Sequence, residues 1–184
     1  VFAQETEYSY EVLIGDDGSS DDTMTRILDW EGRYPGKIRH YQMPREQGKK
    51  YNPIFRASEN RVNLLKHAEG TYITFLDGDD FYTDVHKFQK QIDILMKYSE
   101  CSVCAHNMNL YFLDGSTRPM ALASVVEGKI NAKKYWAGGN YVHAEACIMR
   151  RKDLVMDTQF HRYFDDNFIV FLALPRGNMY YIPA

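Results

Sequence analysis

Seven aspartates in three clusters are the residues of this sequence with the clearest chemical potential. In chain order they are Asp16 and Asp17; Asp77, Asp79 and Asp80; and Asp165 and Asp166. Carboxylates that gather without compensating charge are costly unless they bind a cation or accept hydrogen bonds. Oxygen ligands without neighbouring His or Cys favour Mg²⁺ or Mn²⁺ over zinc. The clusters therefore predict a site for one of these ions together with a diphosphate ligand.

The second cluster follows a short apolar run, residues 72–76, whose β-branched and aromatic side chains are typical of a buried strand. In an extended segment Asp77 and Asp79 would point to the same side, as binding one hard cation requires. A solvated Asp-Gly turn explains the same residues, and taken alone it is the more frequent case. The first cluster also follows a strand, and parallel strands bring such ends to one edge of a sheet, which favours the binding site.

Three competing motifs are absent from the sequence. Neither Asp-Gly-rich stretch has the acid spacing of an EF-hand calcium loop. No G-x-x-x-x-G-K-[ST] phosphate loop occurs, and no G-x-S-x-G nucleophile elbow occurs either. These absences weaken the calcium-sensor, P-loop nucleotidase and serine-hydrolase interpretations.

Apolar periodicity predicts strands alternating with helices. The predicted strands cover residues 10–14, 38–43, 72–77, 102–113, 147–149 and 180–182, and the predicted helices cover residues 23–34, 55–68, 84–98, 131–136 and 164–174. This alternation predicts an α/β fold with a largely parallel central sheet flanked by helices.

The composition limits the function further. The chain has 184 residues, 45% of them hydrophobic, and a formal net charge of -3, which fits one compact domain and argues against nucleic acid as the main partner. No apolar run approaches the length of a membrane span. Cys101 and Cys104 have the spacing of a metal or redox pair but lack a second pair, so we expect them and Cys147 to be buried free thiols in a reducing compartment.

Two stretches resemble the signatures of family-2 glycosyltransferases with the GT-A fold. Residues 12–23, VLIGDDGSSDDT, resemble the first signature, and residues 68–80, AEGTYITFLDGDD, resemble the second, which contains a D-x-D motif. Residues 164–167, FDDN, are similar to the later acidic pair that holds the catalytic base. The resemblance implies a single catalytic domain over residues 1–184, GT-A-like and Rossmann-like, and we expect it to lack the family's first strand and C-terminal extension.

The resemblance also implies roles for the first two clusters. Asp16 and Asp17 belong to the site of the donor nucleotide, where Asp17 accepts a hydrogen bond from the base. Asp77 contacts the ribose. Asp79 binds the Mn²⁺ or Mg²⁺ ion that bridges the diphosphate, and Asp80 supports that ion directly or through water.

The remaining candidate residues concern transfer and the acceptor. The resemblance makes Asp166 the general base, with Asp165 as the nearby alternative. Arg61 precedes the D-x-D strand on a predicted helix and could reach the diphosphate, although a surface arginine is equally frequent. Trp136 and His143 are candidates for the acceptor site, while core packing or a structural role is the more frequent reading of each.

The implied reaction is metal-dependent and inverting. A sugar would move from a nucleotide donor, expected to be a UDP-sugar, to a hydroxyl of a glycan, polysaccharide or lipid-linked acceptor. The family resemblance implies that this chemistry occurs in the bacterial cytoplasm, at the inner face of the membrane. Peripheral association with the membrane is expected through parts of the protein outside this chain. Two alternatives stay open: a sugar nucleotidyltransferase, which would need a Gly-rich basic loop that is not seen, and a non-catalytic nucleotide- or cation-binding module, against which the third acidic pair argues.

Overall fold

The computed structural model describes residues 1–120, 125–138, 142–154 and 165–183. The chain divides into two compact units. The small unit comprises Ser9–Gly70 and Met156–Asp165, and the large unit comprises Val1–Tyr8, Thr71–Val155 and Asp166–Ala184.

The small unit contains two parallel strands and two helices. Its elements are β1 (Val12–Asp16), α1 (Thr23–Arg33), β2 (Ile38–Gln42) and α2 (Pro53–His67). The strands pair from Val12 with Ile38 to Asp16 with Gln42. Ile27 is the buried side chain of α1, whereas its neighbour Leu28 is exposed.

Helix α2 begins two residues earlier than the sequence pattern predicts. The side chain of Asn52 accepts a hydrogen bond from the backbone of Ile54 at 3.0 Å, and Pro53 occupies the first helical position. A capping amide followed by proline satisfies or removes N–H groups that the helix itself cannot pair, which explains the start point.

The large unit is built around a five-stranded sheet. The strands of the unit, five of which form this sheet, are β3 (Tyr72–Ile73), β4 (Cys101–His106), β5 (Asn109–Tyr111), β6 (Thr117–Pro119), β7 (Gly128–Ile130), β8 (Cys147–Arg150) and β9 (Asn178–Ile182). Its helices are α3 (Lys87–Lys97), α4 (Ala132–Gly138) and α5 (Asp166–Ala173), with short 3-10 helices at Ala144–Ala146, Arg151–Asp153 and Leu174–Arg176. The sheet order is β3-β8-β4-β9-β7, and β5 and β6 form a separate hairpin.

The predicted α/β class, with a central sheet and flanking helices, is confirmed, but the sheet is mixed and not largely parallel as we expected. β4 and β9 are parallel, whereas β8 is antiparallel to both β3 and β4, and β7 is antiparallel to β9. A single crossover helix would return the chain in a parallel direction. The segment between β4 and β8 instead contains a hairpin and a further strand, so β8 enters the sheet in the opposite direction.

Two predicted strands differ from the structure. The strand expected over residues 72–77 is limited to β3, and the one expected over residues 102–113 divides into β4 and β5 at Asn107 and Met108. The side chain of Asn107 accepts a hydrogen bond from the backbone N–H of Met108 at 3.0 Å. This local bond competes with ladder pairing and accompanies the break.

The core of the large unit surrounds β4, whose first five residues are all buried. Leu95 of α3, Met149 of β8, Ile169 of α5 and Met179 of β9 are fully buried with them. All three cysteines are free and buried, as predicted. Burial raises the pKa of Cys104 to about 12, so this thiol stays protonated. Within the described part of the chain, no helix is long and apolar enough to cross a membrane.

Candidate functional site

Asp16 stabilises the turn that follows β1 in the small unit. Its side chain is 3% exposed and accepts backbone hydrogen bonds from Gly18 and Ser19, each at 3.1 Å. Gln42 of β2 donates a further bond at 3.3 Å. Burial alone would raise the pKa of Asp16, but the hydrogen bonds bring it below its ordinary value. Asp16 is therefore an ionised carboxylate that holds the turn, and its predicted contact with the donor stays a prediction.

The same turn requires glycine at position 18. Gly18 has a φ of +76°, a conformation that side chains with a Cβ rarely adopt. A Cβ there would also lie 3.1 Å from the carbonyl oxygen of Met43. This turn brings the loop that follows β2 against Asp17.

Asp17 is held by two arginines. Arg45 donates from Nη2 to the carboxylate at 2.9 Å and from Nε to the Asp17 carbonyl at 2.8 Å. Arg56 of α2 donates from Nε to the other carboxylate oxygen, and its side chain is 9% exposed. A carboxylate oxygen has two lone pairs, so Asp17 can still accept a bond from a nucleobase. Sequence reasoning missed Arg56, whose partner lies 39 residues away.

The ring of Tyr51 packs against the guanidinium of Arg56. The guanidinium carbon lies 4.7 Å from the centre of the Tyr51 ring. Arg56 also donates to the carbonyl of Pro44 at 3.1 Å and to that of Met43. A buried guanidinium with a carboxylate, two carbonyls and an aromatic ring is a rigid support for Asp17.

Asn60 of α2 fills the space beside Gly15, the residue just before the acidic pair. Its amide donates from Nδ2 to the Gly15 carbonyl at 2.9 Å. A Cβ on Gly15 would lie 2.2 Å from Asn60 Oδ1, which is too close for any side chain. Gly15 and Asn60 are thus a complementary pair at the end of β1. Arg61, the predicted diphosphate ligand, follows Asn60 on α2 and is half-buried.

A double-mutant cycle tests this pair. Gly15→Ala is expected to lower the free energy of unfolding by about 1–3 kcal/mol because the new methyl displaces the Asn60 amide. In an Asn60→Ala background the same change should cost much less, since the obstructing amide is gone. Urea unfolding of the four proteins measures the coupling.

Gly32→Ala, where nothing lies within 4 Å of the added carbon, is the control and should stabilise α1 by about 0.5–1 kcal/mol. Simple additivity in the cycle would contradict the pairing.

The second acidic cluster forms a turn in the large unit. Asp77, Asp79 and Asp80 are all exposed, and the Asp80 N–H donates to the Asp77 carbonyl at 3.2 Å. The extended backbone expected for Asp77 and Asp79 is therefore replaced by a turn. Partial burial, followed by the charges of Glu145, Asp79 and Asp77, raises the pKa of Asp80 above its ordinary value. Negative charge is in excess at this turn.

Glu145 is an acidic residue near this turn that sequence reasoning missed. It lies on the 3-10 helix Ala144–Ala146 before β8 and is 4% exposed. His143 Nδ1 lies 3.3 Å from its carboxylate, and the imidazole is about one-third exposed. The charge of His143 acts to lower the pKa of Asp80 while that of Glu145 raises it, so both lie within electrostatic reach of the acidic turn. The only signal in the sequence was an acid inside the mostly apolar run 142–149.

The remaining predicted residues lie on helices of the large unit or beside them in the chain. Trp136 of α4 is 50% exposed, and its ring centre is 6.1 Å from that of Phe171 on α5. Asp166 is the first residue of α5, and its side chain lies outside the described residues. Asp165 precedes it and is exposed. The assignment of a base to this pair stays a prediction.

The acidic turn has the chemistry that a divalent cation requires. In the described ranges no three side chains of His, Cys, Asp or Glu are placed to hold one metal ion. Mg²⁺, however, is commonly held by one or two carboxylates together with substrate phosphates. Asp79 and Asp80 supply such carboxylates, and the raised pKa of Asp80 indicates negative charge that a cation would offset. These residues fit a metal that arrives with a diphosphate.

Comparisons with known proteins show what the chain is similar to. The family model described as Glycosyl transferase family 2 matches residues 1–157. The uncharacterized protein Rv1520 of Mycobacterium tuberculosis is 34% identical over 119 residues, which are 62% of this chain and 31% of that protein. The putative glycosyltransferase EpsE of Bacillus subtilis is 30% identical over 68% of this chain and 42% of its own length.

A third relative has a more specific name. The UDP-Glc:alpha-D-GlcNAc-diphosphoundecaprenol beta-1,3-glucosyltransferase WfgD of Escherichia coli is 31% identical over 51% of this chain and 32% of its own length. The matched part of the chain spans 31% of the length of the first of these relatives.

Proposed function

Because the chain belongs to glycosyl transferase family 2, we propose that the protein is a metal-dependent, inverting glycosyltransferase that uses a nucleotide-sugar donor. The observation that carries the metal dependence is the charge of the acidic turn. Burial of Asp80, followed by the negative charges of Glu145, Asp79 and Asp77, raises its pKa, and the charge of His143 offsets only part of this effect. A divalent cation bound with the donor diphosphate would supply the missing positive charge.

Asp79 and Asp80 are the residues that would hold this ion. When bound, Mn²⁺ or Mg²⁺ would offset the negative charge that grows on the departing diphosphate. Oxygen ligands suit both ions, so the choice between them is left to measurement. Asp77, at the start of the turn, would contact the ribose of the donor.

The small unit would recognise the nucleotide through Asp17. The two arginines fix its carboxylate, so a base N–H would meet an acceptor that is already oriented. Uracil has such an N–H, which supports a UDP-sugar as the donor. Arg61 would bind the diphosphate, and Asp16 would hold the turn that presents Asp17.

Transfer needs a base and an acceptor hydroxyl. Asp166 would remove the proton from the hydroxyl, with Asp165 as the alternative, and attack on the face opposite the diphosphate would invert the anomeric centre. Trp136 and His143 would contact the acceptor, since an exposed indole can stack on a sugar ring and His143 lies near the acidic turn.

We base the proposed class of acceptor on the name of one relative. The name of WfgD gives a lipid diphosphate-linked sugar as its acceptor. We extend the class, a glycan or lipid-linked acceptor in polysaccharide assembly, to this protein. Such an acceptor would place the reaction in the cytoplasm at the inner face of the membrane.

A release assay tests the function. UDP-, GDP- and dTDP-sugars are incubated with the protein and with oligosaccharide or lipid-linked acceptors, with and without EDTA. We expect at least one UDP-sugar to release UDP, the release to stop with EDTA, and Mn²⁺ or Mg²⁺ to restore it.

Two controls separate the alternatives. Pyrophosphate formed from UTP and a sugar 1-phosphate would identify a nucleotidyltransferase. Donor binding without any release over the whole panel would identify a non-catalytic module. UDP release that is unaffected by EDTA would contradict the metal dependence while leaving the transferase intact.

A further inference from the structure

Lys87, the first residue of α3, is a buried cation close to the acidic turn. Lys87 is 3% exposed, and burial lowers the pKa of its ammonium group to about 8. Its Nζ donates a buried hydrogen bond to Gln91 Oε1 at 2.8 Å. An ammonium group is costly to bury, so its position calls for a physical reason.

Gln91 fixes one side of Lys87. This side chain is 1% exposed, and its Nε2 donates to the carbonyls of Cys104 at 2.8 Å and Ala146 at 2.9 Å. Because the amide nitrogen faces two carbonyls, Oε1 must face a donor, and Lys87 is that donor. Gln91 therefore binds α3 both to β4 and to the 3-10 helix that carries Glu145, and Lys87 satisfies the remaining polar atom of the Gln91 amide.

Tyr82 fixes the other side. The ammonium of Lys87 lies 4.7 Å from the centre of the Tyr82 ring, within the range of a cation–π contact. The Tyr82 hydroxyl donates to the carbonyl of Phe75 at 2.9 Å and lies 3.3 Å from the Thr74 hydroxyl. The bond from Tyr82 to Phe75 closes the loop of residues 75–82, which contains all three acidic residues of the turn.

The negative charge of Glu145 acts on both Lys87 and Tyr82. Glu145 acts to raise the pKa of Lys87 and also that of Tyr82, so the buried carboxylate favours the charged form of the lysine. The same carboxylate repels Asp80. One buried ammonium thus contacts the ring that closes the acidic loop and is bonded, through Gln91, to the helix that carries Glu145.

We infer that Lys87 is a positioning residue for the acidic turn: through Tyr82 and Gln91 it keeps residues 75–82 and the helix Ala144–Ala146 in the arrangement that receives a metal-bound diphosphate. The metal part of this inference rests on the proposed function. The ordering of the loop does not, and it can be measured without substrate.

The test compares Lys87→Met with Lys90→Met in the full-length protein. Lys90 lies on the same helix, is exposed, and pairs with Asp84 at 2.8 Å, so it controls for loss of a positive charge from α3. We expect hydrogen–deuterium exchange of the amides in residues 77–82 to become at least about tenfold faster in Lys87→Met and to stay unchanged in Lys90→Met.

Kinetics supply a second measurement that a loss of stability alone would not reproduce. If the loop is ordered for only a tenth of the time, the apparent KM for Mn²⁺ rises about tenfold while kcat at saturating Mn²⁺ stays near that of the wild type. A protein that is simply less stable would lose active molecules, and kcat would fall at unchanged KM. Unchanged loop exchange in Lys87→Met would overturn the inference.

Tyr82→Phe decides the question if Lys87→Met does not fold. This variant keeps the ring for Lys87 and removes only the hydroxyl that donates to Phe75. Faster exchange in residues 77–82 supports the inference, and exchange equal to that of the wild type overturns it. If the wild type consumes no nucleotide sugar, the proposed function fails, while the exchange results still decide whether Lys87 orders the loop.

Discussion

Binding of UDP that depends on Mn²⁺ is expected to disappear when Asp79 is replaced by alanine. The variant would leave the acidic turn with one of its two proposed metal ligands, and a loss of roughly a hundredfold or more in metal affinity is the expected scale. The fold should be unaffected, since Asp79 is exposed and a surface substitution of this kind costs within about 0.5 kcal/mol.

Titration calorimetry with UDP, in the presence and absence of Mn²⁺, measures this effect. Asp29→Ala is a matched control, because Asp29 is an exposed carboxylate paired with Arg33 on α1 at 2.7 Å. It removes the same charge from a surface helix and should bind UDP and Mn²⁺ like the wild type. Unchanged affinity in Asp79→Ala would refute the assignment of the metal to this turn.

Asp166→Asn is expected to bind donor normally and to lose transfer. Asparagine has nearly the same shape as aspartate but cannot accept the proton of the acceptor hydroxyl. General-base catalysis is typically worth about 10²–10⁴ in rate, so turnover should fall by that factor. Product formation at saturating donor and acceptor, together with calorimetric binding of UDP, separates the two effects.

Asp165→Asn is the natural comparison for this variant, since the two residues are adjacent and chemically identical. Loss of transfer in Asp166→Asn with activity retained in Asp165→Asn assigns the base to Asp166. The reverse pattern moves the base to Asp165. Near-native turnover in both variants would show that neither residue serves as the base.

Local patterns in the sequence predicted most of the secondary structure. The apolar periodicity of α3, a strand just before Asp16 and the buried thiols of β4 all depend on neighbours along the chain, which the sequence displays directly. The start of α2 was missed although Asn52 and Pro53 are a recognisable cap. The polar residues Lys87 and Gln91 of α3 are buried with the apolar face of that helix, whereas Met96 is 61% exposed.

The missed site residues depend on contacts between distant parts of the chain. Arg56 gains its importance from Asp17, and Glu145 from its closeness to the acidic turn. Lys87 gains its importance from Gln91, whose amide is bonded to the distant residues Cys104 and Ala146. Nothing in the local spacing of these residues shows their partners. The direction of β8 was missed because the Asp114-Gly115 turn shows that β5 and β6 pair but not how the strands after them enter the sheet.

The three buried thiols allow opening of the sheet in the large unit to be measured by alkylation. Cys101, Cys104 and Cys147 are each at most 1% exposed and lie on the neighbouring strands β4 and β8. An alkylating reagent can reach them only when these strands separate, so each pulse of reagent would count molecules whose sheet has opened. Mass spectrometry of the intact protein would then show the fraction of adducts directly. Every variant of the large unit described above could be compared by this labelling, without ligand or substrate.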